Sequence, residues 1–188
     1  MLGIRLYLNP YSVGKTSLIK QYPFFVSNRS RYVTSSFSTQ YKATIGTDFL
    51  TKDLIIENKH VSMQIWDTAG QEKFHSLQGV FYKGADGCLI VYDITDPDSF
   101  QGIEKWRAEF IEGAGINAVP NFPFLLLGNK SDLVADRRVA FPKAIQTAKD
   151  MGVTYYETSA KNAMNIKQAF EDIARKACGV KKDKLQDI

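Results

Sequence analysis

Five short apolar runs, each stopping on a polar or glycine-containing loop, constrain this chain more than any other feature. "IRLYL" runs into "NPYSVGKT", "VSMQIW" into "DTAGQ", "CLIVYD" into "ITDPD", "FPFLLLG" into "NKSD" and "VTYYE" into "TSAK". Runs this short, rich in β-branched and aromatic residues, read as buried strands. Helix-period segments separate most of them. Phe100, Ile103, Trp106 and Phe110 share one face behind an Asp96-Pro97 start, and Ile166, Ala169, Phe170, Ile173, Ala174 and Ala177 share another near the end. Strands alternating with helices predict a mostly parallel sheet with helices on both faces. "TDFLTKDLIIENKHVSMQIWD" breaks the alternation. Its two strand-like runs, joined by the polar "ENKH", predict an antiparallel hairpin at one side of the sheet. Ligands of such folds bind beyond the carboxyl ends of the strands, where the polar loops fall, so these loops should converge on one crevice.

Composition narrows the partners. The 188 residues suit one domain, and 44% hydrophobic content is enough for a sizeable core. The net charge of +4 comes without a dense Lys/Arg block, so nucleic acid is not indicated, and Lys181, Lys182 and Lys184 read as a solvated helix face. Cys88 lies inside an apolar run and reads as a small core residue; with Cys178 it makes neither a disulfide framework nor a zinc spacing. A reducing, cytosolic setting fits. The apolar stretches are far shorter than a membrane span, and no secretory signal or internal repeat is visible.

Four loops carry chemistry. In "SVGKTS", Ser12, Val13, Gly14, Lys15, Thr16 and Ser17 match the second half of a phosphate-binding loop, whose backbone N–H groups cradle phosphate at a helix start. Lys15 would reach the β- and γ-phosphates, and Thr16 would hold Mg²⁺ through its hydroxyl. The plain alternative is a helix start that happens to contain Gly-Lys-Thr. In "WDTAGQE", Asp67 follows an apolar strand and is placed to hold a metal-bound water. Gly70 permits close backbone approach to a γ-phosphate, and Gln71 is the candidate catalytic residue, orienting an attacking water. An Asp-containing turn is the plain reading here. In "NKSD", Asp132 can accept from two guanine N–H groups, the Lys130 stem can lie along the base, and Asn129 can tie this loop to the phosphate loop. A site built on such bonds rejects the wrong base by roughly 10⁴ or more. "TSAK", with Ser159, Ala160 and Lys161, offers a backbone N–H to the guanine carbonyl oxygen.

With these motifs in this order, the chain resembles the Rab family of the Ras superfamily of small GTPases over nearly its whole length. "YKATIGTDFLTKDL", "MQIWDTAGQEKF", "FYKGAD", "FPFLLLGNKSDL" and "YYETSAK" are similar to the family's late-endosomal and lysosomal branch. The resemblance implies a P-loop small GTPase fold: a six-stranded, mostly parallel sheet with one antiparallel edge strand and about five helices on both faces. It implies a GTP/GDP switch that regulates late endosome and lysosome (or vacuole) vesicle traffic, hydrolysing GTP slowly, on the order of 10⁻⁴ s⁻¹ without an activator. Mg²⁺ would be held by Thr16, Thr44 and Asp67, with Thr44 sensing the γ-phosphate. Phe37 would stack on the guanine, and Asp67 to about Lys83 would form the second switch. Phe49, Trp66 and Phe81 would match the aromatic triad offered to effectors, though ordinary core packing also accounts for them. An exchange factor and a GTPase-activating protein are implied partners, with the protein a monomer and no nucleic acid bound beyond the mononucleotide.

Three departures stand out. Where relatives have Gly-Asp-Ser-Gly, this chain has Asn9-Pro10-Tyr11-Ser12. Pro10 removes a donor and fixes φ, Tyr11 brings a bulky ring, and Ser12 replaces a glycine. Residues 23–36 read as an insertion before the first switch. Residues 1–180 read as the GTPase domain and 181–188 as a short tail. Cys178 is too far from the last residue to be a terminal prenylation motif, so membrane attachment through a prenyl tail is not expected of the chain as written. A cytoplasmic location follows, or the cytosolic face of late endosome, lysosome or vacuole membranes where the family's anchor is present. Two other readings stay open: an interaction scaffold that binds nucleotide weakly without hydrolysing it, and a mispredicted product of an intact Rab gene.

Overall fold

The computed structural model describes residues 2–8, 13–22, 47–68, 82–116 and 121–186. Strands β1 (Leu2–Leu8), β2 (Thr47–Ile56), β3 (Lys59–Thr68), β4 (Gly87–Asp93), β5 (Phe124–Asn129) and β6 (Thr154–Glu157) form one sheet in the order β2-β3-β1-β4-β5-β6. Every neighbouring pair is parallel except β2 with β3, so the antiparallel strand sits at an edge, as expected. Among the described residues the helices are α1 (Lys15–Gln21), α2 (Pro97–Gln101), α3 (Ile103–Ala114), α4 (Phe141–Asp150) and α5 (Ile166–Gln186), with a 3₁₀ turn at Val134–Asp136.

Side-chain alternation builds a core on each face of the sheet. Ile4, Leu6 and Leu8 of β1, Leu89 and Val91 of β4, and Leu125 and Leu127 of β5 pack against α1 and α5. Their neighbours Tyr7, Cys88, Ile90, Tyr92, Phe124 and Leu126 point the other way, onto α2, α3 and α4. Each such side chain contributes about 1.5–3 kcal/mol relative to exposure. A one-residue slip would exchange the two sets. All seven residues of β4 and all six of β5 are buried, which is why these runs are apolar throughout rather than alternating.

The hairpin is tighter than "ENKH" implies. Glu57 and Asn58 alone make the turn, at φ 48° and 62°, and Lys59 and His60 already belong to β3. Positive φ at both central residues matches the twist of the flanking strands, which two-residue hairpins require. The helical face of Phe100, Ile103, Trp106 and Phe110 is buried as expected, but it spans two helices that meet at Gly102. Asp96 caps the first of them, accepting from the Asp98 N–H at 3.0 Å, with Pro97 at the helix start.

Because β1, β3, β4, β5 and β6 are mutually parallel, their carboxyl ends lie along one edge of the sheet. The segment leading into α1, Asp67, Asp93, Asn129 and the loop after Glu157 are thereby gathered together.

Candidate functional site

The loops that follow β5 and β6 are knitted to each other and to the segment before α1. Asn129, the last residue of β5, is buried. Its Nδ2 donates to the Val13 carbonyl at 2.8 Å, and its Oδ1 accepts from the Thr158 hydroxyl at 3.4 Å. One amide therefore joins three segments that are remote in sequence. The backbones lock as well: Thr158 N–H donates to the Gly128 carbonyl at 2.8 Å, and Ser131 N–H to the Thr158 carbonyl at 3.1 Å. Ser159 Oγ donates to Asp132 Oδ1 at 2.6 Å and accepts from the Asn162 N–H at 3.1 Å. That bond fixes the carboxylate plane while leaving its second oxygen facing no hydrogen-bond donor among the described residues. A preset, oriented acceptor is what a pair of guanine N–H groups needs.

Gly14 shows why the phosphate-side segment takes this shape. It caps α1 at φ 85°, a conformation costly for residues with a Cβ, and an added Cβ would lie 2.9 Å from Asn129 Nδ2. Lys15 opens the helix and is 4% exposed. Burial pushes its ammonium down to about 8, and the Asp67 carboxylate pulls it back up. Asp67 is itself buried at the end of β3, and its Oδ2 accepts a short hydrogen bond from the Thr16 hydroxyl. A hydroxyl and a carboxylate oxygen in contact form a hard donor pair that suits Mg²⁺. Among the described residues no cluster of three or more His, Cys, Asp or Glu is placed to hold a metal. A cation at Thr16 and Asp67 would therefore need further oxygens, from water and phosphate.

Two supporting features were not singled out from sequence. Asp93, the last residue of β4, is buried, and its Oδ2 pairs with Lys130 Nζ at 2.5 Å. Beneath the loops, Arg137 grips Glu157 through two bonds of 2.7 and 2.9 Å, Tyr155 donates to Glu157 at 3.2 Å, and the Tyr92 and Tyr155 hydroxyls are 2.8 Å apart. Burial raises the Tyr92 hydroxyl to about 12. These links join β4 to β6, so no local sequence window displays them; the only local sign was a carboxylate at each strand's end.

The structure brings together Val13, Gly14, Lys15, Thr16, Asp67, Asn129, Lys130, Asp132 and Ser159 through the contacts above. Ser17 lies in α1, Ala160 is buried and Lys161 is exposed. Trp66 is half-buried, with its ring stacked on Tyr7 at 5.6 Å, and Phe49 is its backbone partner across the hairpin. Ser12, Phe37, Thr44, Gly70, Gln71 and Phe81 lie outside the described residues, as do Asn9, Pro10, Tyr11 and the segment 23–36. Among the described residues no helix is long and apolar enough to cross a membrane.

The Ras family model matches residues 7–179. The chain is 46% identical to Ras-related protein Rab-7a of Paramecium octaurelia over 179 residues, 95% of this chain and 82% of that one. It is 48% identical to Ras-related protein Rab-7a of Dictyostelium discoideum over 173 residues, 92% of this chain and 80% of the relative. It is likewise 48% identical to the Ypt/Rab-type GTPase Rab7 of Gibberella zeae over 174 residues, again 92% and 80%. With its strand order, its one antiparallel edge and these relatives, the chain belongs to the Ras family of small GTPases and, within it, to the Rab type with Rab7-like members.

Proposed function

We propose that this protein is a guanine-nucleotide switch that hydrolyses GTP to GDP and recruits effectors in late endosome and lysosome, or vacuole, traffic. One observation supports it above the rest: Asn129 joins the phosphate-side and base-side loops, and Ser159 holds Asp132 in place. In this reading Asp132 accepts the guanine N–H pair, the Ser159–Lys161 loop faces the guanine oxygen, and Phe37 stacks on the base. Ser12 to Ser17 surround the phosphates, and Lys15 supplies the positive charge. Mg²⁺, when bound, neutralises phosphate charge, and Thr16, Asp67 and Thr44 would hold it. Gln71 orients the attacking water, and Gly70 and Thr44 report the γ-phosphate to the two switches.

Effectors would engage the switches and the aromatic triad of Phe49, Trp66 and Phe81, with the protein acting as a monomer at the cytosolic membrane face. The non-hydrolysing scaffold is disfavoured by 46–48% identity to Rab-type relatives. The test is nucleotide affinity and turnover together. GTP should bind far more tightly than ATP, and Gln71→Leu should slow hydrolysis while leaving GTP affinity nearly intact. Equal affinity for ATP and GTP would sink the base assignment; equal hydrolysis rates for the parent and Gln71→Leu would remove Gln71 from the catalytic assignment.

A further inference from the structure

Asp93 has no part in the roles assigned above, yet it pairs with Lys130 beside the same loops. Asp93 is in parallel register with Asn129, so the residues that follow the two strands lie side by side. The Ile94 N–H donates to the Asn129 carbonyl at 3.1 Å, extending the sheet past both ends. The Asp93 carboxylate is 6% exposed and fully engaged: Oδ1 accepts from the Thr95 N–H at 2.8 Å and the Thr95 hydroxyl at 2.7 Å, and Oδ2 pairs with Lys130 Nζ at 2.5 Å. Lys130 has a left-handed backbone, φ 65°, and its carbonyl accepts from the Leu133 N–H at 2.9 Å. Its side chain, 40% exposed, is thus held at both ends, by a strained backbone and by an anchored ammonium.

We propose that Asp93 is a positioning residue for guanine-nucleotide binding: by anchoring the Lys130 ammonium it fixes the aliphatic stem of Lys130 as a preformed surface for the base. The inference rests on the reading that this crevice binds guanine. A free lysine carries rotamer entropy that ligand binding would have to remove, and a charge-assisted bond to a buried carboxylate removes it beforehand. Thr95 keeps the carboxylate from turning away. Asp93 itself touches no base edge in this scheme, so it sets how long the nucleotide stays rather than which base is chosen.

The test is the release rate of a fluorescent GDP analogue in excess Mg²⁺, measured for the parent, Asp93→Asn, Lys130→Met and the double variant. Asp93→Asn should release GDP about 10–100-fold faster, the range for losing one charge-assisted hydrogen bond. The double variant should release it no faster than Lys130→Met alone, because Asp93 acts through that ammonium. The ratio of GDP to IDP affinity should stay within about twofold of the parent's, since the base-edge contacts are untouched. A merely structural Asp93 would give multiplied effects in the double variant, and that result overturns the proposal. So does release at the parent's rate from Asp93→Asn. Should Asp93→Asn not fold, Thr95→Val keeps the ion pair and removes one of its orienting bonds; it should speed release a few-fold, roughly the worth of a neutral hydrogen bond, and no change would overturn the proposal equally. A parent that prefers GDP over ADP by no margin fails the guanine reading itself, a result distinguishable from all of these.

Discussion

The two ends of the crevice are built on different principles. At the base end, polar groups satisfy one another: Asn129 with Val13 and Thr158, Ser159 with Asp132, Lys130 with Asp93. At the phosphate end the dominant feature is charge placed at a cost. Lys15 is buried deeply enough that its ammonium is pushed down to about 8, and Asp67 offsets only part of that. An added phosphate would further stabilise the ammonium of Lys15 against the cost of its burial, whereas a base would find Asp132 already oriented. If the proposed site is right, changes at the phosphate end should shift affinity without changing base preference, whereas changes at Asp132 should shift both. In the proposed reading, Asn9-Pro10-Tyr11-Ser12 would make the phosphate side the weaker half.

The largest effect is therefore expected from mending that side. Pro10 lacks an N–H, and neither Asn9 nor Ser12 has the backbone freedom of glycine. Each charge-assisted hydrogen bond to phosphate lost in this way costs about 1.5–3 kcal/mol. Two such losses weaken binding by roughly 10²–10⁴. Replacing Asn9-Pro10-Tyr11-Ser12 with Gly-Asp-Ser-Gly should tighten GDP and GTP together by that factor and raise the melting temperature in their presence. Base preference should not move. Titration with a fluorescent GDP analogue in Mg²⁺ decides it: matching tight affinities before and after would mean that the substituted loop wraps phosphate as well as a glycine-rich one.

Breaking the other end comes next in size. Asp132→Asn removes a charged acceptor and should cost guanine binding about 3 kcal/mol, or roughly a hundredfold. Xanthine binding should improve, because the new amide can donate to the 2-oxo group. The melting temperature of the nucleotide-free protein should change little, since Ser159 can donate to an amide oxygen as well as to a carboxylate. Competition of GDP against XDP measures the switch, and a loss shared equally by both bases would place Asp132 in the fold rather than in recognition.

These two experiments use residues that sequence alone singles out, and there are physical reasons why others stayed hidden. The strand set was legible because a sheet covered on both faces must be apolar along its central strands, as in β4 and β5. "NKSD" and "TSAK" were legible because their chemistry is local in spacing. Asn129 reaching Val13 spans 116 residues, and Asp93 meets Lys130 only once β4 and β5 are in register. Such pairs depend on topology, which no short window contains. The hairpin turn is two residues shorter than "ENKH" because Lys59 and His60, though polar, are exposed residues of β3 rather than part of the turn. The break at Gly102 was missed because a face with the right period runs across it.

The smallest effect on binding should come from beneath the base loops, at Gly128. This glycine is not required by φ; it is required by space. A Cβ there would lie 2.7 Å from both the Tyr92 and the Tyr155 hydroxyl oxygens, and Tyr92 is fully buried. The hydroxyls cannot retreat freely, because they bond each other at 2.8 Å and Tyr155 also donates to Glu157. Gly128→Ala should thus destabilise the fold by about 1–3 kcal/mol, the usual cost of overpacking. For a chain of this length that is roughly 2–4 °C of melting temperature per kcal/mol. Tyr155→Phe removes one of the crowding oxygens, so Gly128→Ala combined with Tyr155→Phe should lose less than the sum of the two single changes. The preference for GDP over ADP should persist in every variant that folds, because Asp132 and Ser159 are not touched by the substitution. Thermal melts of the four proteins read the coupling directly. Strict additivity would show that the sheet relaxes around the new methyl, and that the tyrosine pair does not hold the floor of the base site rigid.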